Sequence, residues 1–212
     1  MNRLPPVLLA GALIALAPIA SAQTAPGVSE KERAALVEYL TTMRDQVLAD
    51  SAKLTPEQWN FKTAPERWSV GEVVQHLALA ESLLFDLQQK TLTGPPATAE
   101  QLAATKGKDD MIRKVIPDRT KKAQAPEPLQ PAKAGDMGGQ AAIVSAFRDR
   151  RNKTIEYASK TKDDLRGRVA DSPVGPLDAY QWLLFMAAHS ERHLAQLREV
   201  KADPKFPKAT GL

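Results

Sequence analysis

Apolar residues recur every three or four positions in four stretches of the chain, which is the spacing of one face of an α-helix. The stretches cover about residues 29–54, 69–91 and 141–165, and a fourth begins after Gly175-Pro176 and ends before Pro204. No stretch alternates apolar and polar residues over the length that a β-strand needs. The sequence therefore predicts an all-α protein with four long helices.

Capping signals mark where helices begin. In the sequence SVGE, Ser69 is placed to cap the second helix and Glu72 to reach back to its start, while Trp68 precedes the cap and packs on the first turn. The sequence TPEQ at residues 55–58 has the same pattern, with a threonine cap and a proline at the first helical position. We expect a short capped turn there, between the first and second helices.

The lengths of the connections predict how the helices are arranged. About 14 residues join the first two helices and about ten join the last two, so we expect each pair to be antiparallel neighbours. Residues 92–139, between the second and third helices, are enough to span a helix of about 37 Å. We predict a four-helix bundle of up-down-down-up topology with one long crossover. Its first half, residues 98–115, could form a short helix, and its second half should be irregular.

The first 22 residues have the pattern of an export signal. Arg3 precedes an apolar run from Val7 to Ala17, and the small residues of 20–22 form a cleavage site. A membrane anchor is the alternative, but the run is short and prolines stand at both of its ends. We expect cleavage after Ala22, a single domain over residues 23–212, no stable membrane anchor after cleavage, and a periplasmic or secreted protein.

The composition argues against two classes of function. The chain has no cysteine, so it forms no disulfide and has no thiolate of its own for catalysis. Of the 29 basic residues, Arg3 leaves with the signal, so 28 stand against 25 acidic ones, and the two kinds are interleaved. That balance argues against nucleic-acid binding. The expected partner is a small-molecule substrate whose identity the sequence does not disclose, and a homodimer remains open.

The chain contains three histidines, and the predicted topology brings them to one level. His76 lies about 10 Å from the start of the second helix and His193 about 12 Å from the end of the fourth. These two helices are antiparallel in the predicted bundle, so the two heights coincide. His189 lies one turn before His193 on the same apolar face. All three imidazoles should therefore meet inside the bundle.

Two interpretations of these histidines compete. A single histidine on an apolar face is usually a hydrogen-bonded core residue, whereas three together would cluster poorly satisfied polar groups unless a ligand joined them. We therefore favour a metal site, and three imidazoles without a fourth protein ligand leave coordination positions open, as in reactive sites. The segment HSERH is not an H-E-x-x-H motif, because Glu191 points away from the ligand face, and no E-x-x-H pair of a di-iron bundle is present. One mononuclear site for one divalent ion remains.

These residues resemble a known family. The segments ERWSVGEVVQHLALAE and AAHSERHLAQL are similar to the DinB/YfiT-like superfamily of metal-binding four-helix bundles, and the resemblance covers about residues 30–200. It implies a divalent metal, zinc or nickel, on His76, His189 and His193. Relatives of this kind include S-transferases and isomerases that use a low-molecular-weight thiol, and others are called metal-dependent hydrolases. Because such thiols are cytoplasmic, an exported protein fits the thiol-dependent role less well.

Around this site the sequence leaves choices open. Glu72 either caps its helix or orients His76, and Gln196 either orients His193 or lies in solvent. No catalytic residue can be assigned. The protein is either a metal-dependent hydrolase or group transferase acting on a small molecule, or a non-catalytic exported bundle that binds a metal or another ligand. Residues 117–139 should lie at the mouth of the site, as a mobile lid or as a plain solvated linker.

Overall fold

The computed structural model describes residues 27–208, so the predicted export signal lies outside the described residues. Along this range the helices are α1 (Glu30–Ser51), α2 (Pro56–Asn60), α3 (Val70–Leu92), α4 (Ala99–Thr105), α5 (Lys108–Val115), α6 (Gln140–Lys160) and α7 (Ala179–Lys201). A 3-10 turn covers Glu127–Leu129, and two short antiparallel strands, β1 (Val169–Ala170) and β2 (Leu177–Asp178), precede α7. The prediction of an all-α four-helix bundle, built from α1, α3, α6 and α7, is confirmed.

The predicted caps form at both places. The Ser69 hydroxyl accepts from the N–H of Glu72 at 3.2 Å, and the Glu72 carboxylate accepts from the N–H of Ser69 at 2.8 Å. α2 begins with the same reciprocal pair. α2 also packs against the first turn of α3, where a Cβ added to Gly71 would lie 2.3 Å from Nε1 of Trp59. A glycine is therefore needed in this turn because an indole ring occupies the space of a side chain.

Contacts along the long helices define the up-down-down-up topology. α1 runs parallel to α7, because Tyr39 bonds to Glu191 near the middle of both helices and Asp50 bonds to Arg198 near their ends. α3 runs parallel to α6. It runs antiparallel to α7, because His76 contacts His189 and His193, whereas Glu81, further along α3, is joined through Arg151 to the earlier residues Met186 and Ser190. The predicted directions of all four helices are therefore confirmed.

The helices joined by short connections are antiparallel, as predicted, but they are not neighbours. α1 packs along α6 and α7, and α3 packs along the same two helices. The consecutive pairs α1/α3 and α6/α7 therefore face each other across the diagonals of the bundle. Residues 52–69, which contain α2, connect α1 to α3 and are long enough to cross the end of the bundle.

α6 ends at Lys160 rather than at residue 165. Beyond it, the Thr161 hydroxyl accepts from the N–H of Asp163 at 3.1 Å, and the Asp164 carboxylate accepts from the N–H of Gly167 at 2.9 Å. Such local bonds give the backbone an alternative to the helix. Leu165 is still buried in the core, which explains why it fits the helical pattern.

The crossover contains two short helices where one was predicted. They are separated at Gly107, whose φ of 73° suits glycine. α5 packs on α7, and the Arg166 guanidinium fastens it to the bundle by bonds to Asp109 and Asp178 at 2.7 and 2.9 Å. Residues 116–139 then run back to the end of the bundle where α3 and α6 begin. This half is irregular apart from the 3-10 turn, as predicted.

Most of the bundle interior is apolar, but a charged pair lies at its centre. Arg151 of α6 and Glu81 of α3 are both buried and bond to each other.

Within residues 27–208, no helix is both long enough and apolar enough to cross a membrane.

Candidate metal site

The three histidines meet where the first half of α3 passes the last half of α7. Nε2 of His189 lies 3.3 Å from Nε2 of His76 and 3.1 Å from Nε2 of His193. His76 and His193 are buried, and His189 is partly exposed. The three imidazoles thus lie at one level of the bundle and meet, as the lengths of the connections predicted.

Hydrogen bonds on the far side of two rings determine where their protons lie. Nδ1 of His76 is 2.8 Å from the carbonyl oxygen of Leu129, and Nδ1 of His193 is 2.9 Å from Oε1 of Gln196. Both partners only accept, so each Nδ1 carries the proton and each Nε2 carries a lone pair. Two lone pairs thus converge beside Nε2 of His189, which has at most one proton to offer them.

The surroundings keep the three rings neutral. Burial lowers the pKa of His76, against the opposing effect of the bond to Leu129. His189 is partly exposed as a residue, but its ring is enclosed by the surrounding groups, and this burial together with the neighbouring His76 lowers its pKa to about 3. Burial and His189 likewise hold the pKa of His193 well below its ordinary value. Neutral imidazoles are the form that binds metal ions.

The spacing of the three nitrogens fits a bound metal. Nitrogens about 2.05 Å from a tetrahedral zinc ion lie about 3.3 Å from one another. Nε2 of His189 lies 3.3 and 3.1 Å from the other two Nε2 atoms, and all three nitrogens lie within 4.8 Å of one another. Among the described residues no carboxylate joins this group. The three histidines could therefore hold a metal ion and leave coordination positions for water or substrate.

Two aromatic rings form walls around the imidazoles. The Trp68 ring centroid lies 4.9 Å from that of His76 and 6.2 Å from that of His193. Phe185 stacks on His189 with centroids 6.0 Å apart and ring planes 15° from parallel. In the sequence, Trp68 needed no role beyond packing on the first turn of the helix that it precedes. Its contact with two of the histidines is visible only in the structure.

Glu72 and Gln196, for which the sequence left open whether they orient a histidine, differ in what they contact. Gln196 bonds to His193, as described above. Glu72 does not orient His76, because its carboxylate accepts from the N–H of Ser69 and from Nζ of Lys62, each at 2.8 Å. The carbonyl of Leu129 takes that place instead. No side-chain pattern could have indicated it, since any residue supplies a carbonyl.

The crossover reaches the site at two points. Leu129 contacts His76, and Arg119 donates to Gln196 at 3.3 Å. The segment 117–139 is therefore in direct contact with the groups that orient the histidines. This role differs from both interpretations that the sequence left open for the segment, a mobile lid and a plain linker.

The chain is similar to proteins of one family. The sequence model of the DinB superfamily matches residues 39–197. YuaE of Bacillus subtilis (strain 168), an uncharacterised protein, is 29% identical over 160 residues, which are 70% of this chain and 86% of YuaE. YfiT from Bacillus subtilis is described as a probable metal-dependent hydrolase with an unusual four-helix bundle topology. Its structure matches with a TM-score of 0.53 at 16% identity, over 87% of this chain and 94% of YfiT. The likeness to YfiT is one of fold.

Proposed function

This chain belongs to the DinB superfamily, and we propose that it is an exported protein that holds one divalent ion, zinc or nickel, on His76, His189 and His193. We propose that it uses this ion to hydrolyse a small molecule or to transfer a group from one. The observation that carries the proposal is the convergence of three Nε2 atoms, two of them with lone pairs directed to one place. The description of YfiT as a probable metal-dependent hydrolase supports the choice of reaction class.

The residues around the ion have distinct tasks in this proposal. A divalent ion would supply Lewis-acid chemistry, which activates water or polarises a carbonyl group. His76 and His193 are oriented by Leu129 and Gln196, so their rings need no rearrangement to bind. Trp68 and Phe185 would shield the ion from bulk water on the sides where they contact the imidazoles. Substrate would approach from the side of His189, the most exposed of the three histidines.

A second candidate function is a bundle that binds a metal without turnover. It is favoured by the engagement of the nearby carboxylates, which leaves no evident general base among the described residues. Glu72 is bonded to Ser69 and Lys62, and Glu191 is bonded to Tyr39. A hydrolase at this site would have to move protons through water or through the substrate itself.

Metal analysis and turnover assays test both candidates. The mature protein should be purified without a histidine tag, since its three histidines are the only ones in the chain. We expect about one zinc or nickel ion per chain, because three nitrogens form one site, and none in a His76→Ala/His189→Ala variant. Stoichiometric metal in that variant would contradict the site. Turnover of an ester and amide panel that chelator abolishes would support the enzyme, and metal binding without turnover would support the second candidate.

Export is a separate part of the proposal, and it rests on the sequence of residues 1–22. The measurement is the mass of the mature protein recovered from outside the cytoplasm. We expect a chain that begins at Gln23. Recovery of the full-length chain from the cytoplasm would refute this part and leave the metal site untouched.

A further inference from the structure

The side chain of Gln196 links a histidine to the crossover. Its Oε1 accepts from Nδ1 of His193 at 2.9 Å and from Nη1 of Arg119 at 3.3 Å. We propose that Arg119 is a positioning residue for the metal site, which fixes the orientation of the Gln196 amide and through it the proton position on His193. This inference rests on the proposed function, because the ring nitrogen that it prepares is one of the three proposed ligands.

The mechanism follows from what each group can donate. A glutamine amide can present either its oxygen or its NH₂ group to a neighbour, whereas a guanidinium only donates. If Gln196 turned its NH₂ group to His193, the same NH₂ group would also face the Arg119 guanidinium, and neither of these two donors could accept from the other. Nδ1 of His193 would then have to accept a hydrogen bond from the NH₂ group. The ring proton would then move to Nε2, the atom that must bind the metal. Arg119 therefore selects the orientation in which Nε2 keeps its lone pair.

Hydrogen bonds hold both the side chain of Arg119 and the backbone around it in place. Its guanidinium makes a bidentate pair with Glu199, with both distances 2.7 Å. The backbone around it is fastened by Arg192, which donates to the carbonyls of Ile116 and Lys121 at 3.4 and 2.7 Å. A donor anchored in this way can favour one amide orientation over the other.

Electrostatics and positioning predict opposite effects of removing Arg119. Its positive charge repels a cation at the site, so loss of the charge alone should tighten metal binding. Loss of the positioning role should weaken it, because part of the population would hold Gln196 in the wrong orientation. If the competent fraction falls to between one half and one tenth, the apparent affinity falls by about two- to tenfold. The sign of the change therefore decides between the two effects.

The test is a double-mutant cycle on the mature protein, with Zn²⁺ affinity measured by competition with a chromogenic chelator. Arg119→Ala should weaken Zn²⁺ binding by about two- to tenfold, and Gln196→Ala by about 10- to 100-fold. In the Gln196→Ala background, Arg119→Ala should cause no further weakening. The absorption of bound Co²⁺ gives a second readout: at Co²⁺ concentrations below saturation it should be weaker in Arg119→Ala, and adding the same substitution to Gln196→Ala should not weaken it further.

Three further variants make the test specific. Arg198→Ala removes the same charge from the face of α7 that pairs with Asp50, and it should leave Zn²⁺ affinity within about twofold of the wild type. Arg119→Lys keeps the charge and the fold, but one ammonium group cannot bond Glu199 in bidentate fashion and Gln196 together, so binding should still weaken. Gln196→Glu offers only acceptors, so in that background Arg119→Ala should not weaken binding.

The outcomes separate this inference from the proposed function. Zn²⁺ binding that is unchanged or tighter in both Arg119→Ala and Arg119→Lys would overturn the positioning role. The role would also be overturned if Arg119→Ala weakened Zn²⁺ binding equally in the wild-type protein and in the Gln196→Ala background. A wild-type protein that binds no Zn²⁺, Co²⁺ or Ni²⁺ would overturn the proposed function itself. Circular dichroism of each variant identifies any loss of fold.

Discussion

The buried pair at the centre of the bundle leads to the sharpest prediction about stability. Arg151 is fully buried, and its Nε lies 2.9 Å from the Glu81 carboxylate, whose other oxygen bonds to Nη2. Nη2 also donates to the Ser190 hydroxyl at 2.7 Å and to the Met186 carbonyl at 3.2 Å, and Nη1 donates to the Leu40 carbonyl at 3.4 Å. One guanidinium thus connects all four long helices.

Arg151→Met removes the charge and keeps much of the volume. Among the described residues, the buried Glu81 carboxylate would keep one hydrogen bond, which it accepts from the Thr154 hydroxyl at 3.5 Å. Breaking one side of a buried ion pair costs about 3–5 kcal/mol in the free energy of unfolding. For a chain of this size about 2–4 °C is lost per kcal/mol, so Tm should fall by about 6–20 °C. Urea denaturation of the metal-free protein, followed by circular dichroism, measures the loss without a contribution from metal binding.

The double variant Arg151→Met/Glu81→Leu tests the reason for that loss. It removes both charges, and apolar replacement of a buried pair is often neutral or stabilising. We expect it to recover most of the stability that Arg151→Met loses. Arg148→Met on the exposed face of α6 is the control and should change stability by less than about 0.5 kcal/mol. A loss below about 1 kcal/mol in the single variant, or a double variant no more stable than the single one, would refute the reasoning.

Three other predictions concern the fold and the site. Removal of metal with a chelator should leave the helical circular dichroism intact, because the bundle has a core of its own, and unfolding on chelation would contradict this. Gly71→Ala should lower the free energy of unfolding by about 1–3 kcal/mol, since its Cβ would lie 2.3 Å from Nε1 of Trp59; an unchanged urea midpoint would show that the indole can move. Replacing residues 121–134 by a Gly-Ser linker should weaken Zn²⁺ binding by about 10- to 100-fold, because it removes the Leu129 carbonyl that orients His76. Unchanged affinity would show that this carbonyl is not needed.

The level at which the histidines meet was predictable because it depends on few properties of the chain. Helix rise gives the height of each residue, and the lengths of the connections give the direction of each helix, because the two short connections reverse the chain and the long crossover does not. His76 and His193 are level because α3 and α7 are antiparallel, whichever helices lie side by side. The diagonal placement of α1 and α3 was not predictable from connection length, since residues 52–69 can reach either a neighbouring or a diagonal position.

The contacts that orient the rings were less accessible to sequence analysis. Two uses of Glu72 were open, and the structure resolves them because its carboxylate already serves the helix cap and Lys62. Arg119 carried no signal beyond its charge, since a basic residue in an irregular segment is usually solvated. Its role depends on Gln196, far along the chain in sequence. Such pairings arise from tertiary structure and leave no periodic pattern.

In the proposed function, the crossover also limits how a substrate would enter. The Leu129 carbonyl bonds to His76, so a movement that lifted this turn from the bundle would break that bond and release the ring to either tautomer. A lid that opened there would weaken the site at the moment of substrate entry. The rings of His76 and His193 are buried, whereas His189 is partly exposed beside Phe185. Entry along His189 would leave both orienting bonds intact, so the specificity of the proposed reaction should depend on this route.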